Sequence, residues 1–245
     1  MVLALGIAMF LLSGVSGMLG TGVALVAMPV LSFVFTDLTN EVQPLSLILN
    51  GVTALAAALA FGWARSIDYP RAAMLAIVAT VATPMGALLA REAAAWMIWG
   101  LYFASVAFTC HRMLSNPSVA GDSSNVRFRA VLLLAVPVAV LTAFIGVGPG
   151  FLFVPPTIYF GLGIRQAAAI NAVAVVPSSF AAAIPHWQHM TVTMDLVIAL
   201  SVASALGAGI GAVISSRAIS SAVLRWVFVI TVVFAAAGRA VTLLF

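Results

Sequence analysis

The sequence predicts an all-α polytopic membrane protein made of two homologous four-segment repeats. Three observations carry that expectation. Of the 245 residues, 64% are hydrophobic and 7% charged, with a mean hydropathy of +1.23, whereas soluble domains are about 25% charged. The apolar residues fall into runs of about 20, the length that spans a hydrocarbon core, parted by short polar or arginine-bearing stretches. The first long run of each half is broken in the same way: Gly20-Thr21-Gly22 with Pro29 behind it, and Gly146-Val147-Gly148-Pro149-Gly150 with Pro155 and Pro156, with nine residues from Gly20 to Pro29 and nine from Gly146 to Pro155.

The segments follow in order. Segment 1, Val2 to Phe35, is longer than one span needs, carries the first break, and closes at the polar cluster Thr36 to Glu41. Segment 2 runs from about Val42 to Trp63 and ends at Arg65 and Asp68. Segment 3 runs from Pro70 to Ala90 with Pro84 inside it, and segment 4 covers Ala93 to His111. Residues 115–127 are rich in turn formers and lack apolar periodicity, which marks a linker. The plan then repeats, with segment 5 from Phe128 to Phe160, segment 6 from Arg165 to Pro185, segment 7 from Val192 to Ser215 and segment 8 from Ala222 to Phe245. The first repeat is therefore placed at 1–114 and the second at 128–245. Asn50, 21 residues after Pro29, corresponds to Asn171, 16 after Pro155, and the Met85–Arg91 run resembles Ile210–Arg217.

Charge and cysteine content exclude several functions. All ten basic residues are arginines scattered along the chain, with a net charge of +4. That pattern reads as a topology signal, and nucleic acid is not an expected partner. Cys110 is the only cysteine, so no internal disulfide or paired-cysteine metal site is available, and no metal or cofactor is expected. The apolar start, with no basic region before it, does not look like a cleaved signal peptide. A membrane-embedded enzyme finds no support in HExxH, GxSxG or an acidic pair within a span. A non-transporting assembly or sensor subunit is the remaining rival, although a duplicated unit with matched helix breaks is an odd design for one.

The arginines also weigh two topologies. If segments 1 and 5 cross fully, Arg65, Arg71, Arg112, Arg127 and Arg129 face one side and Arg91, Arg165, Arg217 and Arg225 the other. If segments 1 and 5 are re-entrant hairpins turning at the glycines, six crossings remain and the repeats are inverted. One side then collects eight arginines, leaving Arg91 and Arg239 opposite. Basic residues concentrate on the cytoplasmic side, so the bias favours inverted repeats with both termini outside. From Pro149 to Phe160 a helix rises only about 18 Å, half a bilayer.

These residues resemble the sulfite exporter TauE/SafE family, also called the 4-toluene sulfonate uptake permeases. The resemblance rests on Gly17-Met18-Leu19-Gly20-Thr21-Gly22 with Pro29, on Gly146-Val147-Gly148-Pro149-Gly150 with Pro155, on IRQAAAINAVAVVPSS from Ile164 to Ser179, and on Gly207, Gly209 and Gly211. It covers nearly the whole chain and implies transport of sulfur oxyanions or organosulfonates across a bacterial inner membrane. Val23 and Ala24 stand where the family's first turn usually continues in glycine.

An anion in hydrocarbon needs donors without a costly buried cation. Helix N-termini supply them: the first amides lack intrahelical partners and the dipole adds about +0.5 charge. Pro149 suits the first turn of a half-helix. Gly150 and Phe151, followed by Leu152, would then aim amides at an anion, with Gly146 and Gly148 permitting the turn. Gly20, Thr21 and Gly22 are the counterparts in the first half. The competing reading of the glycines is close helix packing alone. Asn50 and Asn171 are further candidates, Asn171 sharing a helical face with Ser178 and His186, and Asn50 with Thr53; interhelical hydrogen bonding is the alternative for both. Arg165 could pair with an oxyanion or mark the membrane surface. His186 and His189, in HxxH spacing beside Trp187, read as interfacial, with a metal or proton role as the alternative, and Asp68 and Asp195 as loop or helix N-cap residues. Two interrupted segments at matching places point to a secondary transporter for small anions, with carboxylates as the non-sulfur alternative. With no nucleotide-binding loop, the driving force comes from a gradient, of substrate or of H+ or Na+, or from a separate partner. No motif specifies the oligomeric state.

Overall fold

The structure is a computed structural model that describes every residue except 1, 64–66, 116–126, 218–219 and 245. The described residues form ten α-helices and no strand: α1 (Val2–Met18), α2 (Ala24–Leu31), α3 (Gln43–Trp63), α4 (Tyr69–Arg91), α5 (Ala95–Ser115), α6 (Phe128–Ile145), α7 (Gly150–Tyr159), α8 (Ile164–Ala183), α9 (Met194–Arg217) and α10 (Ser221–Leu244). A π-helical turn, Leu38–Val42, leads into α3, and a 3-10 turn, Ile184–His189, follows α8. Each of the two long broken segments thus resolves into a long helix and a short one. The expected linker lies almost wholly outside the described residues. Five helical stretches, Leu38–Trp63, Tyr69–Arg91, Phe128–Ile145, Arg165–His189 and Met194–Ser215, are long and apolar enough to cross a membrane. The chain is an all-α polytopic membrane protein.

Local chemistry sets the helix limits. Asp68 caps α4, its carboxylate accepting from the Arg71 amide at 3.2 Å, with Pro70 in the first turn. Asp37 caps the π-helical turn, accepting from the amides of Thr39 and Asn40 at 3.1 and 2.9 Å and from Asn40 Nδ2 at 2.8 Å. Partial burial works against ionisation of Asp37, but those bonds together hold its carboxyl below the usual range. Asp195, expected in a loop or at a cap, lies instead inside the first turn of α9, because that helix starts at Met194.

The second broken segment returns to where it began. The Arg127 amide, just before α6, donates to the Phe160 carbonyl, just after α7, at 3.1 Å. A chain that leaves and comes back to one point is a hairpin. The first segment packs in a corresponding way. α1 runs alongside α9 in the same direction: a Cβ at Gly207 would strike the Phe10 carbonyl, one at Gly211 the Gly14 carbonyl, and Ser215 Oγ donates to the Met18 carbonyl at 2.7 Å. α6 runs alongside α4 likewise. The Arg71 guanidinium lies 5.8 Å from the Phe128 ring centroid at one end, and a Cβ at Gly86 would strike the Val140 carbonyl at the other. Small residues let these backbones touch, which is how helices associate when lipid offers no hydrophobic drive. Between the two hairpins, α3 and α8 pack on each other and on α9 and α4 respectively.

Prolines in the short helices free carbonyls that need new donors. Pro29 cannot bond to Leu25, and the Tyr102 hydroxyl fills that place, donating to the Leu25 carbonyl at 2.8 Å. Tyr102 is held edge-on between Trp99 and Phe103, at centroid distances of 5.5 and 5.4 Å. The break in α2 therefore recruits a buried aromatic cluster from α5.

Candidate functional site

Each hairpin turns on two glycines in the left-handed region: Gly20 (φ +61°) and Gly22 (φ +73°) in the first, Gly146 (φ +88°) and Gly148 (φ +65°) in the second. An L side chain there costs about 1–2 kcal/mol, which explains the glycines at identical spacing. Gly146 ends α6, its amide bonding to the Thr142 and Ala143 carbonyls at 3.0 and 3.1 Å, and the Val147 amide also reaches Thr142. Gln43 Nε2 covers the Phe144 and Ile145 carbonyls, both at 3.1 Å, and Ser46 Oγ donates to the Gly146 carbonyl. The second elbow is thus sewn to the start of α3.

The two elbows meet. A Cβ at Gly150 would collide with the Thr21 carbonyl, one at Gly20 with the Ala168 carbonyl, and one at Gly148 would lie 2.5 Å from Asn50 Nδ2. Asn50 and Asn171 bind across this junction. Asn50 Oδ1 accepts from the Ala24 amide at 2.9 Å, while its Nδ2 donates to Ser179 Oγ at 2.8 Å. Asn171 Nδ2 donates to the carbonyls of Gly20 and Gly150, both at 2.9 Å, one on each hairpin. Both asparagines are fully buried, as are residues 19–29 and 145–155, so a polar junction sits closed at the heart of the bundle.

The elbows differ in what their helix N-termini retain. At α2 the Val23 amide donates to Thr53 Oγ1 at 3.1 Å and the Ala24 amide to Asn50. Protein side chains have taken two of the donors there, and the Leu25 amide is left without an acceptor among the described residues. At α7 the position of Val23 is held by Pro149, 126 residues on, which has no N–H, and in the register that sets Asn171 against Asn50, 121 residues on, Ala174 stands against Thr53. The loss of the donor and the loss of its cap go together. The Phe153 amide returns to the Pro149 carbonyl at 3.1 Å, but the amides of Gly150, Phe151 and Leu152 have no acceptor among the described residues. Three buried donors at the positive end of a helix dipole are an arrangement that can hold an anion. Asn171 Oδ1, buried close by, also lacks a partner among the described residues.

Of the residues expected from the sequence, Gly20, Thr21, Gly22, Asn50, Gly146, Gly148, Pro149, Gly150, Phe151 and Asn171 gather at the junction. Ser178 turns its hydroxyl back to the Ala174 and Val175 carbonyls of its own helix, and it is the adjacent Ser179 that reaches Asn50. Arg165 is exposed in the first turn of α8, six residues and about 9 Å of helix rise before Asn171. His186 is buried with Nδ1 3.1 Å from the Thr39 carbonyl, far along the chain from the elbows. No cluster of three metal-binding side chains occurs among the described residues. Thr53, expected on the face of Asn50, accepts the Val23 amide, whereas Gln43, Ser46 and Ser179 were not anticipated. Each is a small polar residue inside an apolar helix, a signal too common to single out before its distant partner is known.

Two cavities of about 570 and 600 Å³ lie away from the junction. The first is bordered by Ile48, Phe180 and Trp187 and the second lies between α5, α6 and α7. A family model described as sulfite exporter TauE/SafE matches residues 5–238. No curated protein and no solved structure matches the chain.

Proposed function

The chain belongs to the sulfite exporter TauE/SafE family of membrane transporters, and on that premise we propose that it is a secondary transporter of small sulfur oxyanions or organosulfonates, such as sulfite, in a bacterial inner membrane. The observation that carries this reading is the trio of unpaired amides at Gly150, Phe151 and Leu152, aimed from a half-helix into the place where the two hairpins meet. A sulfite or sulfonate head offers several acceptor oxygens. Three amides and a helix dipole stabilise it with no desolvated counter-charge, which would be expensive at this depth. The α2 elbow, where Thr53 and Asn50 take the Val23 and Ala24 amides, acts as the fixed wall of the site, and the α7 elbow, with more of its amides free, binds.

The hairpin return of the second segment, the Arg127 amide on the Phe160 carbonyl, together with the arginine bias, supports inverted repeats with the two hairpins entering from opposite faces and the arginine-rich end in the cytoplasm. Rocking one hairpin with its partner helix against the other would open the buried junction to each side in turn. Asn50 and Asn171, each bonded to groups of both repeats, are the contacts that must be remade in that movement.

Flux of sulfite, sulfonates, thiosulfate and carboxylates into proteoliposomes tests the proposal. Transport of sulfur oxyanions that Gly148→Leu abolishes without preventing membrane insertion is the expected result. Transport of carboxylates alone would replace the substrate class, and no flux of any anion would favour a non-transporting subunit.

A further inference from the structure

We propose that the groove between α5, α6 and α7 is a binding site for an anionic phospholipid, one acyl chain lying in the groove and the phosphate against Arg112. The groove encloses about 600 Å³, and its walls are almost wholly apolar, Leu101, Phe108, Leu134, Val138, Leu152 and Pro155 among them. Arg112, in the last turn of α5, borders the same space. It is half-buried, and its guanidinium lies 4.9 Å from the Tyr159 ring centroid.

No carboxylate lies within ion-pair distance of Arg112 among the described residues, where the one ion pair is Arg71 with Asp68. The ring face orients the cation but accepts none of its five N–H donors. A charge held at the rim of an apolar groove without a counter-ion selects a ligand that carries both an anionic head and an apolar tail. Phosphate oxygens match the planar fork of arginine. The same rim is reached by the chain at Arg127, whose amide is bonded to the carbonyl of Phe160, another residue of the groove wall. Basic pockets between membrane helices bind anionic head groups in this manner. Because Leu152, Pro155 and Pro156 belong to α7, the acyl chain would brace the half-helix whose first amides face the junction.

Native mass spectrometry of the purified full chain, titrated with phosphatidylglycerol or phosphatidylcholine, tests this site. Wild type should retain phosphatidylglycerol about fivefold better than phosphatidylcholine, the discrimination expected of one arginine near a membrane surface. Arg112→Gln should erase that preference while Arg112→Lys keeps most of it, and Ala104→Trp, which fills the groove from α5, should lower retention of both lipids. The proposal is overturned if Arg112→Gln keeps the preference for phosphatidylglycerol, or if Ala104→Trp retains lipid like wild type. It is equally overturned if glycerol phosphate, which has the head without the chains, displaces the lipid at equal concentration, since that describes an ion site only.

Discussion

Thr53 and Val23 offer a cycle in which the cost of one substitution depends on whether another has been made. Thr53→Val keeps the shape of the side chain and removes the hydroxyl that accepts the Val23 amide at 3.1 Å. A buried amide left without an acceptor costs about 1–3 kcal/mol, and the bonds Thr53 donates to Leu49 and Asn50 are lost to carbonyls of its own helix. Val23→Pro removes the amide itself. Val23 has φ −90° and ψ −12°, close to the −78° and −11° of Pro149 at the matching place, and a left-handed glycine precedes both, so the backbone angles already suit proline, while its Cδ, standing where the N–H pointed, displaces the Thr53 side chain. With no amide to orphan, Thr53→Val in the Val23→Pro protein should cost less than about 0.5 kcal/mol, a coupling of about 1–2 kcal/mol. Reversible unfolding in mixed micelles, followed by tryptophan fluorescence, measures all four proteins. An equal cost of Thr53→Val in both backgrounds would refute the view that the second repeat lost a donor and its cap together.

Other outcomes follow from the same geometry. Gly148→Leu adds a left-handed strain of about 1–2 kcal/mol and drives a Cβ toward Asn50 Nδ2 and Ser179 Oγ, so sulfite flux should vanish while the protein still reaches the membrane fraction. Tyr102→Phe leaves the Leu25 carbonyl freed by Pro29 without its donor, and unfolding should move by about 1–3 kcal/mol; an unshifted midpoint would show that the aromatic cluster does not support α2. Asn171→Asp removes the donor shared by the Gly20 and Gly150 carbonyls and sets a carboxylate beside the α7 amides, so flux should fall to background even if the protein remains folded. Arg165→Gln changes an exposed side chain, and flux within about twofold of wild type is expected, judged against the small worth of exposed ion pairs; a loss of tenfold or more would place Arg165 on the transport path.

Much of the fold was legible because the bilayer constrains sequence so strongly. Apolar length located α3, α4, α8 and α9 to within a few residues, and the glycine and proline spacing located both breaks, since in hydrocarbon a chain has few ways to turn. Asn50 and Asn171 stood out because an amide within a span must find a partner. The partners themselves did not stand out. Gln43 and Ser179 act across separations of 101 and 129 residues, and Ser178 and Ser179 are indistinguishable until the helix is rotated into place. Tyr102 was hidden for a different reason: its role is to serve a carbonyl freed by a proline 73 residues earlier, and periodicity carries no trace of that debt. Asp195, expected in a loop or at a cap, is the second residue of α9, because a charge before an apolar run looks the same at the cap and a residue or two inside the first turn.

The central claim is that the anion rests on backbone amides at the start of α7 and not on a charged side chain. Locating bound sulfite by the anomalous scattering of its sulfur, in crystals of the purified protein, tests it most directly. A peak within hydrogen-bond reach of the Gly150, Phe151 and Leu152 amides is the predicted result. A peak at the Arg165 guanidinium, with nothing at α7, would contradict it.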